Sequence, residues 1–429
     1  MRCSTARSGS LRTRSNGRKP VRRRNTFPPV GCRSDMQTVV LAAGEGARMR
    51  PLTSRTPKPM LPVAGTPLVE RCLGEAIAAG ATSAVVVVGY EADVVREAIA
   101  PRDWPIPVDT IEQAEQRGTA DAVRTARPAL DDAPFVVLNG DVPYDRDSLT
   151  ALYDADAAVG SYRVENPSAY GVLRVEDGRV LEVIEKPADP PSDLVNTGAY
   201  VFPAAALSWL DVDESDRGEL ELTDVLQRAC ETTDVRSIPF DRWLDVGRPW
   251  ELLAANEWML GETDREVDGD VSGDADLRGE VVVEPGATIE PGVVIEGPAY
   301  VSAGSHVGPN AYLRGATYLG PDTRVGHGVE VKNSVVMAGS AVPHLTYLGD
   351  SVLGTDVNLG AGTTVANLRH DGAPVELTVK GDRVSTGRRK FGIVCGDGVK
   401  TGINCTINAG VTLSTDATVA PGETVLRDR

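Results

Sequence analysis

The sequence predicts an α/β Rossmann-like domain followed by a left-handed parallel β-helix of hexapeptide repeats. Three observations carry that prediction. Short, nearly all-apolar runs alternate with helically spaced segments between Met36 and about Gly261. A glycine-rich turn follows the first of those runs. From Leu277 to Met337 an apolar residue recurs at every sixth position. The expected division is residues 1–35 as a disordered or spurious extension, 36–261 as the α/β domain and 262–429 as the β-helix.

Length and composition bound the alternatives. A chain of 429 residues suits about two or three domains. No apolar run approaches the ~18 residues a membrane-spanning helix needs, so a membrane partner is not expected. The six cysteines are scattered without a C-x-x-C pair, which argues against a zinc site or a disulfide framework and for reduced thiols in a cytoplasm. Residues 1–35 hold nine arginines, Lys19 and one acid, Asp35, a net +9. The rest of the chain therefore carries a net −26 to reach the overall −17, with only six lysines. Such a surface disfavours nucleic acid and anionic membranes as partners and fits a halophilic protein kept soluble in high salt. The first 35 residues lack hydrophobic periodicity, and no apolar stretch follows Arg22-Arg23-Arg24, so an export signal is not expected.

Within the α/β domain, Thr38–Leu41, Ala84–Gly89 and Pro134–Asn139 read as buried strands, and Leu68–Ala79 and Glu91–Ile99 carry helical spacing. Strands apolar on both faces suit a parallel sheet covered by helices. Ligands of such sheets sit beyond the carboxyl ends of the strands. Both the turn at Ala43-Gly44-Glu45-Gly46 and the turn at Asn139-Gly140-Asp141 fall there. Gly44 and Gly46 let backbone N–H groups approach an anion, and Arg48 and Lys58 add two cations suited to a triphosphate. Gly-x-Gly alone is more often a tight turn. A dinucleotide fingerprint is excluded by Met49, where a third glycine would stand, and a Walker loop by the missing Gly-Lys-Ser/Thr. Gln113 through Gly118 and Thr119 follow a strand and open a helix that can meet a phosphate or base edge. Asp141 and Asp245, far apart in sequence, are each either a cap or a ligand of a hard cation, for which few protein carboxylates suffice.

The whole string Leu41–Pro59 closely resembles the signature of sugar-1-phosphate nucleotidylyltransferases, G-x-G-x-R followed by P-L-T and P-K-P. By that resemblance Ala43, Gly44, Gly46, Gln113, Gly118 and Thr119 bind the nucleotide. Gly171, Glu185, Lys186, Asn196 and Thr197 hold the sugar phosphate, and Asp141 and Asp245 hold Mg²⁺. Arg48 and Lys58 bear on the phosphates. The implied reaction is in-line attack of a sugar-1-phosphate oxygen on the α-phosphorus of UTP (or dTTP), with release of pyrophosphate.

After Gly261 the double stripe begins. Leu277, Val283, Ile289, Ile295, Val301, Val307, Leu313, Leu319, Val325, Val331 and Met337 keep the six-residue step, and the position four later is always small or β-branched. Stacked coils of a β-helix require this. The phase slips after Met337, resumes at Tyr347, Leu353, Leu359 and Val365, is interrupted over Ala366–Val394 and returns at Cys395. The interruption reads as one long loop, and such loops usually carry function.

His344-Leu-Thr-Tyr-Leu-Gly-Asp350, Asn358-Leu-Gly-Ala-Gly-Thr363 and Asn367 closely resemble the acetyltransferase half of bifunctional glucosamine-1-phosphate acetyltransferase / N-acetylglucosamine-1-phosphate uridylyltransferases. That resemblance makes His344 a general base and acetyl-CoA a co-substrate. Arg314 and Lys332 become its sugar-phosphate cations, and Tyr347, Asn358 and Asn367 its other substrate contacts. It also implies a homotrimer. Where bacterial members carry a lysine soon after the last asparagine, this chain has Ala373-Pro-Val, as in the archaeal form. The alternatives are a monofunctional glucose-1-phosphate thymidylyl- or uridylyltransferase with a structural β-helix, and a non-catalytic scaffold subunit.

Overall fold

The first strand, β1 (Gln37–Ala42), is apolar on both faces and is an interior strand of a mixed sheet. The computed structural model describes residues 36–100, 102–215 and 217–429, so the expected extension over residues 1–35 lies outside them. Helix α1 (Leu68–Ala79) returns the chain to β2 (Ser83–Val88), and α2 (Ala92–Ile99) leads to β3 (Val108–Glu112). Next come α3 (Thr119–Ala126), β4 (Phe135–Asn139), α4 (Arg146–Tyr153) and β5 (Ala158–Arg163). The remaining elements of this half are β6 (Gly171–Glu176), β7 (Arg179–Glu185), β8 (Leu194–Phe202), α5 (Leu222–Thr232), β9 (Arg236–Pro239) and α6 (Pro249–Leu260).

The sheet order is β3-β2-β1-β4-β8-β5-β9-β7-β6. Strands β3, β2, β1 and β4 are parallel, as expected of runs buried on both faces. Beyond β4 the expected parallel arrangement gives way to a mixed one, because β8 pairs antiparallel with both β4 and β5. One apolar layer packs β1 and β4 against α1, α2 and α4, and another packs the opposite face against α3 and α5.

The second half is the left-handed parallel β-helix. Its strands are two or three residues long and stack in three parallel ladders, one per face. One ladder aligns Val283, Val301, Leu319, Val336, Leu353, Cys395 and Leu413. Inward aliphatic side chains fill the interior along the whole length. Burying each against its neighbours in successive coils is what produces the six-residue step.

Two positions of the stripe differ from the sequence expectation. Val336, not Met337, pairs with Leu319, and Leu348, not Tyr347, pairs with Val331. The steps Val331–Val336 and Leu348–Leu353 span five residues, so two coils are each one residue short. Ser334 and Ser351 stand at these tightened corners, where Ser334 Oγ donates to the Lys332 carbonyl and accepts from the Ser351 N–H. Met337 is still buried, but in the contact between the two halves. The interruption after Val365 is likewise more than a loop. It contains an antiparallel hairpin, Glu376–Val379 with Asp382–Ser385, and its Phe391 is fully buried.

The two halves share an apolar seam. Met49, Leu52, Leu61 and Val63 join residues of α6 and Tyr318, Val335, Met337, Val352, Phe391 and Val394 of the β-helix. Helix α6 is apolar on most of its surface because it lies between the two halves and touches strands Thr317–Leu319 and Val352–Leu353. Polar contacts rim the seam: Arg55 pairs with Asp416, and Arg388 with Glu257 on α6 at 3.0 Å. Phe391 has no exposed surface, so Phe391→Ala should cost about 3–5 kcal/mol. Urea denaturation followed by tryptophan fluorescence checks this, and a midpoint equal to wild type would show that the seam is not held there.

Candidate active sites

The carboxyl ends of β1 and β4 lie side by side, with the Gly140 N–H donating to the Leu41 carbonyl at 2.8 Å. That places the glycine turn next to Asp141. The chain then passes through Arg48 and a short turn, Lys58–Met60, that buries Lys58. Gly46 adopts φ 68°, and a side chain there would meet Lys58 Cβ at 2.7 Å, so the turn needs glycine. Asp245 arrives from the segment preceding α6.

These four charges converge. Lys58 Nζ lies 2.6 Å from Asp141 Oδ2 and 3.8 Å from Asp245 Oδ1, and Arg48 reaches Asp245 Oδ2 at 3.8 Å. Burial pulls the Lys58 pKa down, but the two carboxylates more than offset that and hold it above the usual lysine value. Lys58 therefore stays charged. Around the cluster opens a cavity of about 320 Å³ that also touches Gly171, Glu185, Lys186, Asn196 and Thr197. It adjoins a second cavity of about 280 Å³ lined by Ala43, Gly44, Gln113, Gly118 and Thr119. The two share Thr119, Asn139, Asp141 and Glu219, so they form one trough.

Gln113 is buried, and its amide has an unambiguous orientation. Its Nε2 faces Asp121 Oδ2 at 2.8 Å and the Gly118 carbonyl at 3.2 Å, both acceptors. Only the nitrogen can point there, which leaves the carbonyl oxygen for the cavity. Asp121 is itself held ionised: burial pushes its pKa up, but Gln113, Arg124 and Arg117 bring it below the usual carboxylate value. In the larger cavity, Asn196 accepts from Tyr200 OH at 2.9 Å and donates to the Gly171 carbonyl at 3.4 Å. Among the described residues the buried Thr197 hydroxyl beside it has no hydrogen-bond partner. Trp243 donates to the Thr197 carbonyl at 2.9 Å and packs edge-on against Tyr170, forming an aromatic wall.

In the β-helix, the ladder Arg314–Lys332–Gly349 puts both expected cations on one face. Arg314 pairs with Glu330 at 2.6 Å, and Lys332 Nζ lies 2.7 Å from both oxygens of Asp350. Asn367 donates to Asp350 Oδ2 at 2.6 Å and to Tyr347 OH at 3.2 Å. Four of the six expected residues thus stand together. The other two stand apart. His344 is exposed at the preceding corner, next to Leu345, which is held at φ 59° and is 67% exposed. His344 Nδ1 accepts from the His327 N–H at 3.1 Å, so the neutral ring carries its proton on Nε2. Asn358 is exposed on the next face, between Ala341 and Lys400. Among the described residues no hydrogen bond joins His344 or Asn358 to the Lys332 group.

Comparison with known proteins extends over both halves. Residues 37–261 match the nucleotidyl transferase family, and residues 295–415 match the GMPPB C-terminal domain. The bifunctional protein GlmU of Methanocaldococcus jannaschii is 37% identical over 92% of this chain and 95% of its own length. A protein of Sulfurisphaera tokodaii named bifunctional sugar-1-phosphate nucleotidylyltransferase/acetyltransferase is 38% identical over 92% of this chain and 98% of its own. The chain belongs to the GlmU family. A Haloferax volcanii protein, UTP–glucose-1-phosphate uridylyltransferase AglF, is 37% identical but matches only 53% of this chain.

Three residues at these GlmU-family sites have no role assigned from the sequence. Asp121 orients Gln113, Asp350 gathers Lys332 and Asn367, and Trp243 walls the larger cavity. Trp243 had a signal, standing two positions before Asp245, and so had Asp350, which closes the string His344–Asp350. Asp121 had none, since it matters through its contact with Gln113. Asp141→Asn keeps the side chain's shape and removes its charge, so nucleotidyl transfer should fall by roughly two to four orders of magnitude. Pyrophosphate release measures the rate and thermal melting controls for folding. A near-normal rate would leave Asp141 as no more than a partner of Lys58.

Proposed function

We propose that this chain makes a UDP-N-acetylamino sugar in two steps. Residues 262–429 acetylate glucosamine 1-phosphate with acetyl-CoA, and residues 36–261 transfer UMP from UTP to the resulting N-acetylglucosamine 1-phosphate. The observation that carries this reading is the presence in one chain of two separate charged groups, Lys58–Asp141–Asp245 and Lys332–Asp350–Asn367, each in its own half.

In the first half, Gln113 offers an acceptor to the base. That complements the N3–H of uracil or thymine and opposes cytosine, whose N3 is itself an acceptor, so UTP or dTTP fits. The Asn196 amide supplies a polar contact for a sugar. A sugar-phosphate oxygen attacks the α-phosphorus in line, the bond to the bridging oxygen breaks, and pyrophosphate leaves. Arg48 bears on the triphosphate and Lys58 on the transferring group, where positive charge stabilises the spreading phosphoryl charge. Asp141 and Asp245 fit a hard divalent cation, because two carboxylates converge on the single cationic centre of Lys58 and the remaining ligands can be substrate phosphates. Bound there, Mg²⁺ would neutralise phosphate charge.

In the second half, His344 takes the proton as the sugar amine attacks the thioester carbon and the CoA thiolate leaves. Base action requires the Nδ1 lone pair to leave the His327 amide, a turn of one exposed ring. Lys332 and Arg314 receive the phosphate. A cytoplasmic homotrimer accounts for the separation of His344 and Asn358 from that group: Leu345 and Ile403, 67% and 55% exposed near the same edge, offer apolar surface to a second copy.

The monofunctional alternative lacks support from relatives that match 92% of this chain under bifunctional names. His344→Ala tests the assignment. Thiol release from acetyl-CoA with glucosamine 1-phosphate should fall about 10²–10⁴-fold, with uridylyl transfer intact as the control. Equal thiol release by both proteins, assayed in molar KCl, would remove His344 from the reaction.

A further inference from the structure

Asp350 is 3% exposed and every lone pair of its carboxylate is engaged. Lys332 Nζ donates to both oxygens at 2.7 Å, Asn367 Nδ2 to Oδ2 at 2.6 Å and Asn333 Nδ2 to Oδ1 at 3.0 Å. The same Asn333 amide donates to Glu257 Oε1 on α6 at 2.7 Å, and Arg388 closes the chain of contacts on Glu257. The arrangement follows from the two shortened coils. Asn333 and Asp350 occupy the same corner one coil apart, at φ 46° and 51°, so their side chains face each other.

The consequences for substrate are directional. An ionised carboxylate only accepts, so the Asn367 nitrogen has to face Asp350, and its carbonyl oxygen is the end presented outward. An outward acceptor suits the N–H of an amine. Lys332, gripped by both oxygens, keeps one ammonium position for a phosphate while Arg314 supplies the second cation.

Resting on the bifunctional reading, we propose that Asp350 is the positioning residue for the amino-sugar 1-phosphate. It fixes Lys332 for the phosphate and turns Asn367 toward the amine, and Asn333 anchors it to Glu257 across the seam. Asp350→Asn keeps the size but puts a donor where Asn367 needs an acceptor. The experiment measures KM for glucosamine 1-phosphate and for acetyl-CoA separately, with uridylyl transfer to N-acetylglucosamine 1-phosphate as the folding control. The expected result is a KM for the amino-sugar phosphate raised about 10–100-fold, with KM for acetyl-CoA and uridylyl transfer within about twofold of wild type. An unchanged KM for the amino-sugar phosphate, or an equal rise in both, overturns the positioning role. If Asp350→Asn fails to fold, Asn333→Gly decides instead, because glycine adopts φ 46° freely and removes only the amide. A rise of about 3–10-fold in the same KM supports the proposal and no rise overturns it. Absence of thiol release by wild type would overturn the bifunctional reading itself, a result distinct from any of these.

Discussion

The seam between the two halves is the contact on which the rest depends. The segment carrying Arg48 and Lys58 has little regular structure of its own, only two short turns and a two-strand ribbon between β1 and α1. Its shape comes from what it rests on. Met49, Leu52 and Leu61 are fully buried in the cluster shared with the β-helix, and Pro51 lies so close to Gly396 that a side chain there would meet it at 2.9 Å. A segment that must hold two cations beside two carboxylates without a helix to stiffen it gains rigidity from packing. The β-helix therefore serves the first site mechanically as well as carrying the second.

Both sites hold their cations against carboxylates in the free protein. Lys58 sits on Asp141 and Lys332 on Asp350, each pair at least partly removed from water. At Lys58 the two carboxylates outweigh the burial that would otherwise strip the ammonium of its proton. The difference lies in saturation. Asp350 has no lone pair to spare and acts as a fixed post, while Asp141 and Asp245 retain capacity facing the cavity.

Much of this was readable from the chain because it depends on local pattern. The six-residue stripe is visible since each coil must bury the same position, and the Leu41–Pro59 string is contiguous. The misreadings have one cause. Met337 and Tyr347 look like members of the stripe, but Met337 is apolar because it meets the other half of the molecule, and Tyr347 carries a hydroxyl that meets Asn367. Sequence spacing records that a residue is apolar or aromatic, not which surface makes it so. From spacing alone, the two five-residue sides look like a single break after Met337. The hairpin at Glu376–Ser385 was hidden for a similar reason, since its buried Leu377 and the adjacent Val375 belong to the seam cluster. Asp121, Asp350 and Glu257 are ordinary surface-type residues until the fold brings Gln113, Lys332 and Asn333 to them.

The central claim, that one chain performs both transfers, is tested most directly by the product it makes. Purified protein supplied with glucosamine 1-phosphate, acetyl-CoA, UTP and Mg²⁺ is analysed by mass spectrometry for nucleotide sugar, with free CoA measured in the same sample. The account predicts a UDP-N-acetylhexosamine, and at least one CoA released for each one formed. Exclusive formation of unacetylated UDP-hexosamine with no CoA released would contradict it.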